Sequence, residues 1–469
     1  MDARTRALLE GPIVPTILRM ALPNVVVMTV QAMIGLIETY FVAQLGLDAL
    51  AAMALVFPVL MLVQMISAGA FGGGILSAIS RALGGGRRDD ANTLVWHAVA
   101  IAVGLGALTT LVALLGGEKL YALMGGRDAS LAAALAYSHW VFVGAIPIWL
   151  FNSLAAVIRG TGNIFFPALI TALGALILIP LSPALIFGFG PLPQLGIVGG
   201  ALAIVIYYVI GSGVFAAYIW SGRGVLNPSA FPRRLRWAPT REILRIGAVS
   251  SLVSISTNVS IATATGLAGL IGPAAVAGYG TGARLEYLLV PVVFGLGAPV
   301  AAMVGTAIGA GQRARATRAA WTGAIIAGVL TEAIGILAAL FPHAWLTLFG
   351  AEPTMLEVGS HYLRIVGPFY GFFGAGLALY FASQGAGKMR WPLIAGTLRV
   401  VVAAFGGWIA IGFGGITGLF VMLGIAMVVF GVVNAVAVAS GVWFRRDPSI
   451  APTTTPGNAD VVIRSAPAN

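Results

Sequence analysis

The chain has no cysteine in its 469 residues, which excludes disulfides and thiolate metal sites. Charge is almost as scarce: Asp, Glu, Lys and Arg make up 9% of residues, against about a quarter in soluble domains. The four histidines, His97, His139, His343 and His361, show no ligand spacing, and no His-Glu-x-x-His run occurs, so no metal site is expected. A Walker A sequence is also missing, which argues against direct driving by ATP. No paired acids or Ser/His pairs stand in the apolar segments, so the chain is read as a non-enzyme with no cofactor. The charged N-terminal stretch, MDARTRALLEGPIVPTILRM, lacks a cleavage site after a short apolar core. No removable signal peptide is expected, and the first apolar segment serves as its own insertion signal.

What fills the chain is apolar: 59% of residues are hydrophobic. Apolar runs bounded by Gly, Pro or charge recur near 14–45, 50–83, 92–116, 131–158, 164–190 and 195–220, and again near 243–272, 274–308, 315–341, 355–383, 391–414 and 416–444. About 20 apolar residues cross a bilayer as a helix. Lipid-exposed backbone must satisfy its own hydrogen bonds, and runs of this length exclude the short alternating strands of a barrel. The expected fold is an all-α integral membrane protein of twelve transmembrane helices. An N-terminal six-helix lobe (1–220) is followed by a basic cytoplasmic linker (221–241), a C-terminal six-helix lobe (242–444) and a flexible cytoplasmic tail (445–469).

The formal charge of +11 is explained by topology. With both termini cytoplasmic, one side holds Arg4, Arg6, Arg87, Arg88, Arg159, the linker arginines, Arg313, Arg315, Arg318, Lys388 and Arg390, while the loops opposite hold Lys119 and Arg127. That follows the positive-inside rule and needs no nucleic-acid partner. Arg233, Arg234 and Arg236 beside Trp237 are also positioned to touch anionic lipid. The expected location is the cell inner membrane, as a multi-pass monomer.

Two halves of the chain are copies. QLGLDALAA from Gln44 matches LIGPAAVAG from Leu270, with Gly46 on Gly272; GGGRRDDA from Gly84 matches GAGQRARA from Gly309; and RGTGNIFFP from Arg159 matches QGAGKMRWP from Gln384. The offset is 226 residues at the first pair and 225 at the others. Six helices per copy is an even number, so both copies enter the membrane in the same sense. The lobes are then related by a pseudo-twofold axis along the membrane normal, with a substrate path between them.

Glu38 is the one acid in the apolar runs of the first half. An ionisable group there costs roughly 2.5–3.5 kcal/mol on insertion scales, so it has a partner or a job. Such a carboxylate can exchange between protonated, ion-bound and substrate-paired states. Gln31 and Tyr40 are its polar neighbours in sequence and candidate substrate ligands. Glu286 is the second candidate for ion coupling, and Glu332 reads as structural. Arg364 and Arg399 lie several residues inside their helices and can snorkel. Phe57, Met61 and Met65, with Met28, Met33, Phe41 and Phe71, are candidates for an adaptable pocket.

Two six-helix repeats, the LG-x-x-AL-A element after helix 1, the RG-x-GN turn after helix 4, and GARLEYLLVPVVFGLGAPVAAMVGTAIGAGQ from Gly282 resemble the multidrug and toxic compound extrusion (MATE) transporters. The similarity runs from Thr16 to about Phe444. It implies a V-shaped bundle that alternates between outward- and inward-open forms and exchanges H+ or Na+ for an organic, often cationic, drug-like molecule. In that family the helix 1 acid is accompanied by Asn and Asp on helix 5 and Thr on helix 6, where this chain has Leu178, Ser182 and Ile204 or a close neighbour. The acids that other members carry on helices 7 and 10 fall near Thr257, Asn258 and Gly371, leaving Asn258 as a polar substrate ligand. A hard cation wants several oxygen ligands, so a lone Glu38 favours protons. The expected function is antiport of cationic or amphipathic drug-like molecules against H+ or Na+. One alternative is a flippase for lipid-linked oligosaccharide or lipid, which would want more cavity cations than Arg284 and Arg399. Another is a polytopic membrane enzyme.

Overall fold

The computed structural model describes residues 2–189, 193–231 and 235–444, and side chains throughout these except at 27–39, 287 and 288. Every regular element among them is helical, as an apolar chain in lipid requires. Twelve spans follow in order: α1 (Ile13–Ala43), α2 (Leu47–Gly84), α3 (Arg88–Leu123), α4 (128–160), α5 (Phe165–Phe187), α6 (Ile197–Trp220), α7 (Trp237–Gly269), α8 (Pro273–Gly309), α9 (Arg313–Leu340), α10 (Pro353–Gly385), α11 (390–414) and α12 (416–439). The last two form one helical run of 50 residues. At about 1.5 Å per residue such a run is roughly twice too long for one crossing. It breaks at Gly415, whose φ of 55° and ψ of −139° are non-helical.

The repeat read from sequence is a repeat in space. Gly162 and Gly387, 225 residues apart, turn the chain out of α4 and α10 with φ of 80° and 71°, a conformation open to glycine. At the end facing the arginine-bearing loops, the halves of α2 and α8 that lead into them cross in close contact. A Cβ on Gly84 would lie 2.0 Å from the Thr306 carbonyl oxygen, and one on Gly309 would lie 2.1 Å from that of Arg81. Each glycine therefore seats on the counterpart of the other's contact, as a twofold relation demands. Without a hydrophobic drive between helices in lipid, small residues that let backbones approach supply the packing.

Side-chain contacts reinforce this seal. Ser77 Oγ donates to the Gly385 carbonyl at 2.8 Å, and Arg81 pairs with Glu242 across the lobes at 2.7 Å. A short helix, Ala3–Glu10, capped by Asp2, buries Leu8 and Leu9 beneath this end. Arg315 of α9 donates to the carbonyls of Leu8 at 2.7 Å and Gly11 at 2.6 Å.

Each lobe has its own core, with Ile75, Val95, Phe142 and Phe215 in one and Val300, Tyr362, Phe420 and Phe430 in the other. Two boundaries differ from expectation. Helix α7 begins at Trp237, inside the expected linker, because Pro239 in its first turn forfeits a hydrogen bond that no first-turn residue makes. The rest of the linker is tied to α3: Asn227 N donates to Asn92 Oδ1 at 2.8 Å, and Trp96 Nε1 to the Ser229 carbonyl at 3.0 Å. Helix α3 also runs through Gly116 to Leu123. The expected tail, 445–469, and Arg233 and Arg234 lie outside the described residues.

Candidate functional site: a cavity between the lobes

Helices α1, α2, α4, α5 and α6 of the first lobe, closed by α8 and α10 of the second, surround a cavity of about 410 Å³. That is within the range of about 300–1,000 Å³ usual for small-molecule sites. Aromatic and thioether side chains supply much of its wall, among them Phe57, Met61, Phe151, Tyr207, Phe294 and Phe381. Rings and sulfur fit many apolar shapes. Helix α2 loosens into a π-helical turn at Met65–Phe71 along this wall, a distortion frequent at functional sites.

A polar network in the wall ties three helices together. Asn152 Nδ2 of α4 donates to Gln64 Oε1 at 2.9 Å and to Ser67 Oγ at 2.8 Å, and Gln64 Nε2 donates to Tyr208 Oη of α6. Burying amides is favourable only with partners, so this network fixes α2, α4 and α6 relative to one another. At the sealed end, Gln384 Nε2 of α10 donates to the Gly69 carbonyl at 3.1 Å and to Ser250 Oγ at 3.0 Å. Arg159, in the last turn of α4, also lines the cavity.

A second polar cluster lies inside the C-terminal lobe. Glu286 of α8 is 9% exposed and accepts from Tyr362 Oη of α10. Arg399 of α11 is 6% exposed and acts on Glu286 electrostatically without an ion-pair contact. Its guanidinium lies 4.8 Å from the Phe373 ring centroid and 5.7 Å from that of Phe430. Tyr279 packs edge-on to Tyr362 at 5.3 Å. Glu286, Arg399 and Tyr362 thus form a buried polar cluster inside the C-terminal lobe.

Several expected site residues take other places. The side chains of Glu38 and Gln31, with those of Met28 and Met33, lie outside the described residues. Tyr40 is 63% exposed and packs on Phe41, away from the cavity. Asn258 is exposed and donates to its own helix at the Ser254 carbonyl, 3.0 Å away, so it too does not reach the cavity. Phe57, Met61 and Met65 line it, whereas Phe71 packs against Trp149. Leu178 and Ile204 also line it, so those two positions of an ion cage carry no oxygen here. Glu332 Oε2 accepts from Gly371 N at 2.6 Å, just after the 3-10 turn Gly367–Phe369 within α10. Arg399 does not snorkel: its ring partners and Glu286 draw it inward. Arg284 is exposed and lies over Phe349, so it is not a cavity cation. Gln64, Asn152 and Gln384 gave no reading from sequence, although an amide within an apolar run is itself a signal of buried hydrogen bonding.

Residues 23–184 and 250–409 each match the MatE family model. An FAD transporter of Shewanella oneidensis is 29% identical over 434 residues, covering 91% of this chain and 94% of that one. A probable multidrug resistance protein NorM of Thermotoga maritima is 23% identical over 384 residues, covering 81% of each. A solved outward-facing conformation of a multidrug resistance MATE family transporter superposes with a TM-score of 0.84 at 24% identity, over 94% of this chain and 98% of that one. With the family model matched in both halves of a twelve-helix bundle, the chain belongs to the MatE family and is a membrane transporter of small organic molecules.

Proposed function

We propose that this transporter is a secondary antiporter, exporting amphipathic aromatic molecules from the interlobe cavity in exchange for H+ or Na+ by alternating access. The observation that carries this is the cavity itself: aromatic, largely apolar, crossed by few polar groups, and sealed at the end bearing the arginine-rich loops. With that end cytoplasmic, this conformation corresponds to the state that releases substrate outward. The name of the Shewanella relative points to a flavin dinucleotide, a planar ring system joined to charged groups, and a molecule of that general build suits an aromatic wall. A cationic substrate finds no carboxylate among the described cavity residues, so any preference for cations rests on Glu38.

Coupling is assigned to Glu286 and Glu38. Occupation of a carboxylate by a proton changes its charge inside a packed lobe, so each lobe conformation binds the proton with a different affinity. A ligand shifts a conformational equilibrium by its differential affinity for the two states. The experiment is counterflow in proteoliposomes under an imposed pH or Na+ gradient, with wild type, Glu38→Gln and Glu286→Gln. Gradient-driven transport is expected to disappear in at least one variant, while exchange at equal pH and Na+ persists. Full gradient-driven transport by both variants would remove these acids from the mechanism.

A further inference from the structure

We infer that Arg159 makes the cavity a site for aromatic molecules bearing an anionic group, a phosphate or carboxylate that the guanidinium engages at the sealed end. This rests on the cavity being the substrate site. Arg159 is the charged residue among the described lining side chains. Its Nε is buried without a hydrogen-bond partner, and no described carboxylate lies within 4.0 Å of it. A cation held inside the bundle is costly unless paired, and Arg159, partly buried with its Nε enclosed, finds no partner among the described residues.

Topology does not account for this placement. Arginines that set orientation stand in the loops, and Arg87 and Arg88 are exposed. Helix α4 instead continues through Gly160, which carries Arg159 into the bundle. Asn152 and Ala155, seven and four residues earlier, share its face at 3.6 residues per turn, and all three line the cavity. The small Ala155 leaves room between the amide network and the guanidinium.

The repeat sharpens the assignment. The counterpart of Arg159 is Gln384, a neutral amide whose Nε2 is spent on hydrogen bonds to the Gly69 carbonyl of the other lobe and to Ser250 Oγ of its own. The two copies of one structural position have diverged, one into a seam and the other into an unpaired cation. A guanidinium presents a planar fork suited to two oxygens of a phosphate or carboxylate. Phe151, Tyr207 and Tyr208, packed ring to ring with centroids 4.8–5.3 Å apart, provide the apolar surface for a ring system attached to that group.

The test uses the purified full-length chain in phosphatidylcholine nanodiscs, with fluorescence titration of riboflavin 5′-phosphate and riboflavin, probes that differ in the phosphate. Wild type is expected to bind the phosphate ester about ten-fold tighter than riboflavin. Arg159→Gln is expected to bring the ester to riboflavin's affinity while leaving riboflavin unchanged, with Arg159→Lys in between. Equal binding of the two probes by wild type, binding of neither, or equal weakening of both by Arg159→Gln overturns the inference. Retained riboflavin binding shows that the variant is folded. Displacement of the ester by added phosphatidylglycerol would reassign Arg159 to a lipid headgroup and also overturn it; persistence of ester binding supports it. The cavity reading fails separately. Met61→Trp, which fills the cavity, is expected to abolish binding of both probes, and undiminished binding in that variant would move the substrate site elsewhere.

Discussion

Glu286 and Arg399 are both buried in a lobe that faces lipid, and each is the main charge acting on the other. Removing one member of a buried opposite-charge pair leaves the other uncompensated, at a cost of roughly 3 kcal/mol. Arg399→Leu is therefore expected to lower thermal stability in detergent sharply, whereas Arg399→Leu combined with Glu286→Gln recovers much of the loss. An additive double mutant would show that the two charges do not interact. Glu286 was legible from sequence because an acid in an apolar run is expensive wherever it stands. Arg399 was not, because a long side chain several residues inside a helix end has two outlets, and only packing against Phe373, Phe430 and Glu286 selects the inward one. Arg159 was read as a loop charge for the related reason that the RG-x-GN motif hides where its helix stops.

At the scale of elements, the seal between α2 and α8 is the contact least tolerant of change. Gly84 and Gly309 leave no space for a side chain, because a backbone carbonyl occupies the place of each Cβ. Gly84→Leu is expected to wedge this end apart. The chain has no cysteine, so Arg88→Cys and Arg313→Cys, both at exposed positions, accept spin labels without background. Electron–electron distances between the labels are expected to lengthen in the Gly84→Leu variant and to match wild type in Gly104→Ala, a helical position of α3 whose Cβ meets open space. An unchanged distance in Gly84→Leu would mean the interface yields elsewhere. The spans themselves were legible because the length of an apolar run sets a helix across lipid, and the duplicated motifs fixed the twofold relation. The π-helical turn of α2 and the 48° bend of α4 were not, since neither alters hydrophobicity. The Gln64–Asn152–Tyr208 network depends on the bulge in α2, and so was hidden with it.

For the whole molecule, antiport requires that ion and substrate oppose each other through the same two conformations. Linkage then fixes a reciprocity: the factor by which a proton weakens substrate binding equals the factor by which substrate weakens proton binding. With one proton exchanged per substrate, affinity for riboflavin 5′-phosphate is expected to fall on acidification by up to about ten-fold per pH unit, with matching proton release measured by a pH indicator when the probe is added. Glu286→Gln flattens the slope if that lobe carries the coupling, and Glu38→Gln flattens it if the first helix does. The two acids lie in different lobes, so a slope lost in one variant and kept in the other identifies the coupled lobe. A wild-type slope of zero, with affinity responding instead to Na+, would exclude the proton. It would also require oxygen ligands for the metal that Leu178 and Ile204 do not supply, leaving the buried Ser182 hydroxyl as the one side-chain oxygen at the helix 5 and helix 6 positions and placing the rest of the Na+ shell elsewhere.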